Sequence, residues 1–144
     1  MDKSLAIFFA IVCGVFAGLQ PPINAGLGKI VNSKNATLVS ISVSFIIILT
    51  IVLFTGNIKE VSKATSISPI YWIGGVLGVS MVFISVKIIP ILGATVTYSF
   101  IVSIQLIVGA IINQFGLFGV TKTPITISQV AGMVLLFLGM KLIL

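Results

Sequence analysis

The sequence predicts an all-α membrane protein with five transmembrane helices. Hydrophobic residues make up 58% of the chain and charged residues 7%, with a mean hydropathy of +1.33. Apolar runs of about 18 residues or more recur along it. Short stretches where lysine, glycine and proline collect separate those runs. A soluble domain cannot have this composition, and 144 residues leave no room for a second one. A single five-helix domain over residues 1–144 is therefore expected, with the lipid bilayer as its first partner. The net charge of +6 comes from eight lysines against Asp2 and Glu60. Scattered singly between apolar runs, the lysines read as topology signals, and no nucleic-acid partner is expected.

The first helix is expected over about 4–31, with a break at 20–22. Residues 4–19 are almost wholly apolar but number only 16, short of the ~20 that span a bilayer. The opening run lacks a small-x-small cleavage site before a hydrophilic chain, and Val12 precedes Cys13 where a lipoprotein signal wants a small residue. Both processing signals are thus set aside. Pro21 and Pro22 have no N–H, so the carbonyls of Ala17 and Gly18 lose their usual helical donors. Lipid cannot replace those bonds. Gln20 and Asn24 flank the prolines with amides. Two readings are open: the helix ends at Gln20 and Pro21 starts a loop, or the helix is interrupted around a binding site. In the second, a new half-helix from Pro21 aims the N–H groups of Ile23, Asn24 and Ala25 into the membrane.

A polar turn at Asn32, Ser33, Lys34 and Asn35 precedes the second helix, 36–54. Residues 55–68, with Lys59, Glu60 and Lys63, form the longest polar connection, and neither helical nor strand periodicity persists there. The third helix is expected over 69–89, with Pro69 in its first turn, Tyr71 and Trp72 at headgroup depth, and a stop before Pro90. The fourth covers 93–115 and the fifth 127–144, separated by a turn with Gly116, Gly119, Lys122 and Pro124.

Five crossings place Lys3, Lys59, Lys63 and Lys122 on one side and Lys29, Lys34, Lys87 and Lys141 on the other, four against four. The positive-inside bias is absent, so insertion in both orientations and an antiparallel homodimer are expected. A partner or one dominant loop fixing a single orientation is the competing reading. Gly14 and Gly18, Gly74 and Gly78, Ser40 and Ser44, and Gly132 and Gly139 recur at intervals that suit close helix packing.

Helix four carries a polar stripe. At about 100° per residue, Thr95, Tyr98, Gln105, Gly109 and Asn113 share one arc with Val102. Such a stripe faces protein or water, as a cavity wall or as interhelical hydrogen bonding. The chain has no histidine, and its two acids lie outside the apolar runs. Acid-base, metal and covalent catalysis lack their parts, so neither an enzyme nor a cofactor or metal site is expected.

The segments GLQPPINAGLGK, YWIGGVLGVSMVFIS, LGATVTYSF and NQFGLFG resemble the YdcZ family of five-helix bacterial inner-membrane proteins, in the drug/metabolite transporter superfamily. The match covers nearly the whole chain. It aligns Gln20 and Asn24-Ala25, the Leu92–Thr95 stretch and Gln105 with family positions. Asn113 stands where the family often has Asp, so an acidic role there does not carry over. Larger relatives join two such halves in inverted orientation, which implies half of a ten-helix inverted-repeat fold here. Small multidrug exporters of the superfamily use a helix-one glutamate that this chain lacks, so their proton-for-cation exchange is not implied.

These readings converge on a multi-pass protein of the bacterial inner membrane that moves a small solute, exporter-like, by alternating access as a dual-topology homodimer. Gln20, Asn24, Tyr98 and Gln105 are the expected substrate contacts, Pro21 and Pro22 the helix break, and Gly14, Gly18, Gly74 and Gly78 packing positions. A passive dual-topology channel and a non-transporting scaffold are the alternatives; saturating flux, unsaturated current and absence of flux separate the three.

Overall fold

The computed structural model describes residues 2–56 and 58–144, and all secondary structure among them is helical. Five α-helices follow one another: α1 (Lys3–Val31), α2 (Ser33–Thr55), α3 (Ile73–Leu92), α4 (Ala94–Phe115) and α5 (Ile127–Ile143). Three 3-10 segments, Ile58–Ser66, Pro69–Trp72 and Leu117–Gly119, lie between them. Four stretches, Lys3–Val31, Ser33–Thr55, Pro69–Leu92 and Ala94–Phe115, are long and apolar enough to cross a membrane. The fifth helix is apolar but has 17 residues, at the short end of what spans.

The chain divides into two compact units, residues up to Ile91 and Leu92–Leu144. In the first, α1 reverses into α2 through Asn32 alone. Its backbone has φ 67, tolerated better by Asn than by most side chains, and its Oδ1 accepts from Asn35 N–H at 3.1 Å. The expected four-residue turn is thus one residue, because the side-chain cap starts α2 at Ser33. The reversal sets Asn24 beside Ser40, whose Oγ accepts from Asn24 Nδ2 at 3.1 Å. Pro21, Asn24 and Ala25 are buried on α1, Ala36 and Thr37 on α2, and Ser85, Val86 and Ile89 on α3.

The expected break at Pro21 and Pro22 is corrected: both prolines lie inside a single α-helix of 29 residues. Proline's fixed φ suits a helix, so two prolines remove two donors. Ending and restarting the helix would expose up to four C=O groups where it stops and four N–H groups where it restarts, the greater loss in lipid. No half-helix therefore starts at Pro21. Pro90 likewise lies inside α3, which continues to Leu92 and does not stop at residue 89. Near a helix end the missing N–H costs a single bond, and the chain turns only at Gly93, with φ +77.

Among the described residues, the glycines expected to pack leave room for a side chain. A Cβ added at Gly14, Gly18, Gly74 or Gly78 would meet nothing within 4 Å. The tight approach is at Gly28, where a Cβ would lie 2.5 Å from Val86 Cγ1. Gly28 follows Pro21, Asn24 and Ala25 on the same helical face. The buried residues of α1 thus lie from Pro21 onward.

In the second unit, α4 ends at Gly116 with φ +64, and a Cβ there would press within 3.3 Å of Lys122 and the Val120 carbonyl. Asn113 O accepts from Thr123 N–H at 2.9 Å, and Gln114 Oε1 accepts from Ile125 N–H at 2.7 Å. These bonds hold the connection against the end of α4. Thr126 and Gln129 then form a reciprocal capping box that starts α5.

Candidate functional site

The polar stripe of α4 forms one wall of a groove against α5 in the second unit. Gln105, Gly109 and Asn113, spaced four residues apart, face Gln129, Gly132 and Met133 across it, with Leu106, Ala110 and Leu136 completing an apolar lining. The groove holds about 370 Å³, within the range of small-molecule sites. Gly109 and Gly132 make room by having no side chain. Neither the Gln105 nor the Asn113 amide has a hydrogen-bond partner among the described residues. Gln129 Oε1 is already engaged by Thr126 N–H at 2.9 Å.

A second groove of about 300 Å³ lies further along the same helix pair, lined by Ser99, Val102 and Ser103 of α4 and by Leu135, Leu136, Gly139, Met140 and Ile143 of α5. Ser99 Oγ donates to Thr95 O at 2.9 Å, so this wall offers little free polarity. The expected stripe is therefore divided. Gln105, Gly109 and Asn113 line the first groove, Val102 lines the second, and Thr95 and half-buried Tyr98 line neither.

In the first unit, Gln20, Pro21 and Asn24 of α1 face Met81, Val82 and Ser85 of α3 around a cavity of about 40 Å³. That is room for a water and not for a metabolite. Gln20 and Asn24 are thus brought together, as their spacing requires. Asn24, however, is 8% exposed with its donor committed to Ser40, so in this conformation it clamps α1 to α2. Gln20 remains exposed.

Sequence reasoning missed Gln129 and Ser85 as lining residues. Gln129 was findable, since Thr126-x-x-Gln129 is the spacing of a capping box and places Gln129 in the first turn of α5. Ser85 carries no such signal, because only the packing of α3 on α1 brings it to the cavity.

Comparison with known proteins gives one match. The family model DMT_YdcZ, described as "Putative inner membrane exporter, YdcZ", covers residues 5–142. No curated protein and no solved structure matches the chain.

Proposed function

Because the chain belongs to the YdcZ family and is a multi-pass protein of the inner membrane, we propose that it exports a small solute by alternating access, as an antiparallel homodimer in the manner of the drug/metabolite transporter superfamily. The observation that carries this reading is the groove of about 370 Å³ with two unpartnered amides, Gln105 and Asn113. An amide left without a partner in hydrocarbon costs free energy, and in this reading water or a solute supplies the partner. Gln105 makes the principal contact with solute in this reading; Tyr98 and Gln20, which do not line that groove, are separate proposed contacts. Asn24 joins only in a conformation that releases Ser40 and enlarges its cavity. The two acids, Asp2 at the start of α1 and Glu60 in the 3-10 segment, lie outside the long apolar helices, which favours a neutral or anionic solute over a cation. The dimer is supported by the four-to-four lysine count and by the faces at Gly14, Gly74 and Gly78, where an added Cβ would meet nothing within 4 Å among the described residues. All five helices cross the membrane in this reading, α5 with the shortest span.

The test is export of a panel of neutral and anionic metabolites from cells producing the protein or its Gln105→Leu variant. Gln105 is exposed within the chain, so the replacement changes stability by about 0.5 kcal/mol or less. Saturable export that falls at least several-fold in the variant supports the carrier. Unsaturated current, or export unchanged by Gln105→Leu, refutes it.

A further inference from the structure

The connection between α2 and α3 carries a pattern of its own. It folds as a 3-10 helix over Ile58–Ser66. Three residues per turn put positions i and i+3 in line, so Ile58, Val61 and Ala64 form one apolar stripe, and Ile67 extends the spacing. Lys59, Ser62 and Thr65 make a second face, and Glu60, Lys63 and Ser66 a third. The hydroxyls turn back onto the segment: Ser62 Oγ donates to Lys59 O at 2.7 Å, Thr65 Oγ1 to Ser62 O at 2.7 Å, and Ser66 Oγ to Lys63 O at 2.8 Å. Lys63 pairs with Glu60, and Lys59 has no ion pair among the described residues. Among the described residues, none buries the apolar stripe. Ile58, Val61 and Ile67 are 43%, 56% and 45% exposed, and the segment contains no buried residue.

Where the segment can lie is set by its tethers. Two residues separate Thr55, the end of α2, from Ile58, and two more separate Ser66 from Pro69, where the next candidate span begins. At about 3.5 Å per residue, each end of the segment stays within roughly 10 Å of a membrane-spanning helix. The headgroup layer on each side of a bilayer is itself about 5–8 Å deep. Tyr71 and Trp72, both exposed, follow at once, and such rings settle at that depth. An amphipathic segment held there by both ends has the acyl-chain boundary within reach of its stripe.

We propose that residues 58–67 lie flat in the membrane interface. Ile58, Val61, Ala64 and Ile67 enter the acyl-chain boundary, and Lys59 and Lys63 face the phosphates of anionic lipid headgroups. The partner is the lipid surface.

The test uses the full chain with Cys13→Ala, which removes an exposed thiol, and single cysteines introduced along residues 58–67 and spin-labelled. The protein is reconstituted in vesicles of phosphatidylethanolamine and phosphatidylglycerol, and collisions with oxygen and with a water-soluble nickel chelate are measured. The oxygen-to-nickel accessibility ratio should be several-fold higher for Ile58→Cys, Val61→Cys, Ala64→Cys and Ile67→Cys than for Lys59→Cys, Ser62→Cys and Thr65→Cys, repeating every third residue. The polar-face labels, toward headgroups and water, set the reference for the ratio. High nickel access throughout would make the segment an aqueous loop. Low access to both reagents on the stripe would mean that protein, such as a second copy, covers it. Either result overturns the proposal, and a contrast unchanged when phosphatidylcholine replaces phosphatidylglycerol overturns its ionic part.

Discussion

Gly28→Ala probes the place in the first unit where the Val86 side chain of α3 presses on α1. The new Cβ would sit 2.5 Å from Val86 Cγ1, while Ala36 Cβ and Ser33 Cα, at 3.8 Å, are in ordinary contact. Carbon atoms rest at about 3.5–4.0 Å, so the overlap with Val86 is about 1.0–1.5 Å. Val86 cannot simply rotate away, because a β-branched side chain in a helix has one strongly preferred χ1, and at 2% exposure it is enclosed. Relief has to come from backbone displacement, at about 1–3 kcal/mol. Alanine also gains about 1 kcal/mol of helix propensity over glycine, which would mask part of that cost. Gly26→Ala supplies the correction: it lies on the same helix, two residues away, and its Cβ would meet nothing within 4 Å. The difference between the two variants isolates the overlap. Reversible unfolding of the purified protein in mixed micelles should place Gly28→Ala about 1–3 kcal/mol below Gly26→Ala. In a Val86→Ala background, where Cγ1 is gone, that gap should close. Equal effects of the two alanines, or a gap that persists without Val86 Cγ1, would refute the close approach of α3 to α1.

The Asn24–Ser40 bond, at 3.1 Å and part-buried, should give a coupling energy of about 0.6–1 kcal/mol in an Asn24→Ala, Ser40→Ala double-mutant cycle; additive losses would show that the two side chains do not act on each other. Thr126→Ala removes the acceptor of Gln129 N–H and should cost about 1 kcal/mol, with faster hydrogen exchange at that amide as the local signature. A reporter fused to the C-terminus should appear on both sides of the membrane, and moving two lysines to one side should bias it. A reporter found on one side alone in the native sequence would remove the dual-topology reading.

The boundaries of α4 and α5 were legible because they depend on local chemistry: Gly93 and Gly116 supply positive φ at the ends of α4, and Thr126 with Gln129 caps α5. The stripe of Gln105, Gly109 and Asn113 was legible for the same reason, since residues four apart in a helix must share a face. Its opposite wall was not, because nothing in the spacing of α4 says that Gln129 and Gly132 will stand across from it. Asn24 shows the limit most directly. Its residue type announced a hydrogen bond, but the choice between a solute and Ser40 depends on a chain reversal at one residue, Asn32.

The sequence by itself determined an all-helical chain for an apolar solvent, because composition sets the medium and a backbone in lipid must satisfy its hydrogen bonds locally. Tertiary structure decided the rest. Proline's local preference predicted breaks at residues 20–22 and at 90, yet both sites remain helical, since one or two lost bonds cost less than two new helix ends in hydrocarbon. Glycine spacing marked Gly14, Gly18, Gly74 and Gly78 as contacts, while the close approach fell at Gly28, because spacing describes a face and not what meets it. The segment from Ile58 to Ser66 read as patternless against periods of 2 and 3.6. Its order appeared only when the backbone adopted three residues per turn.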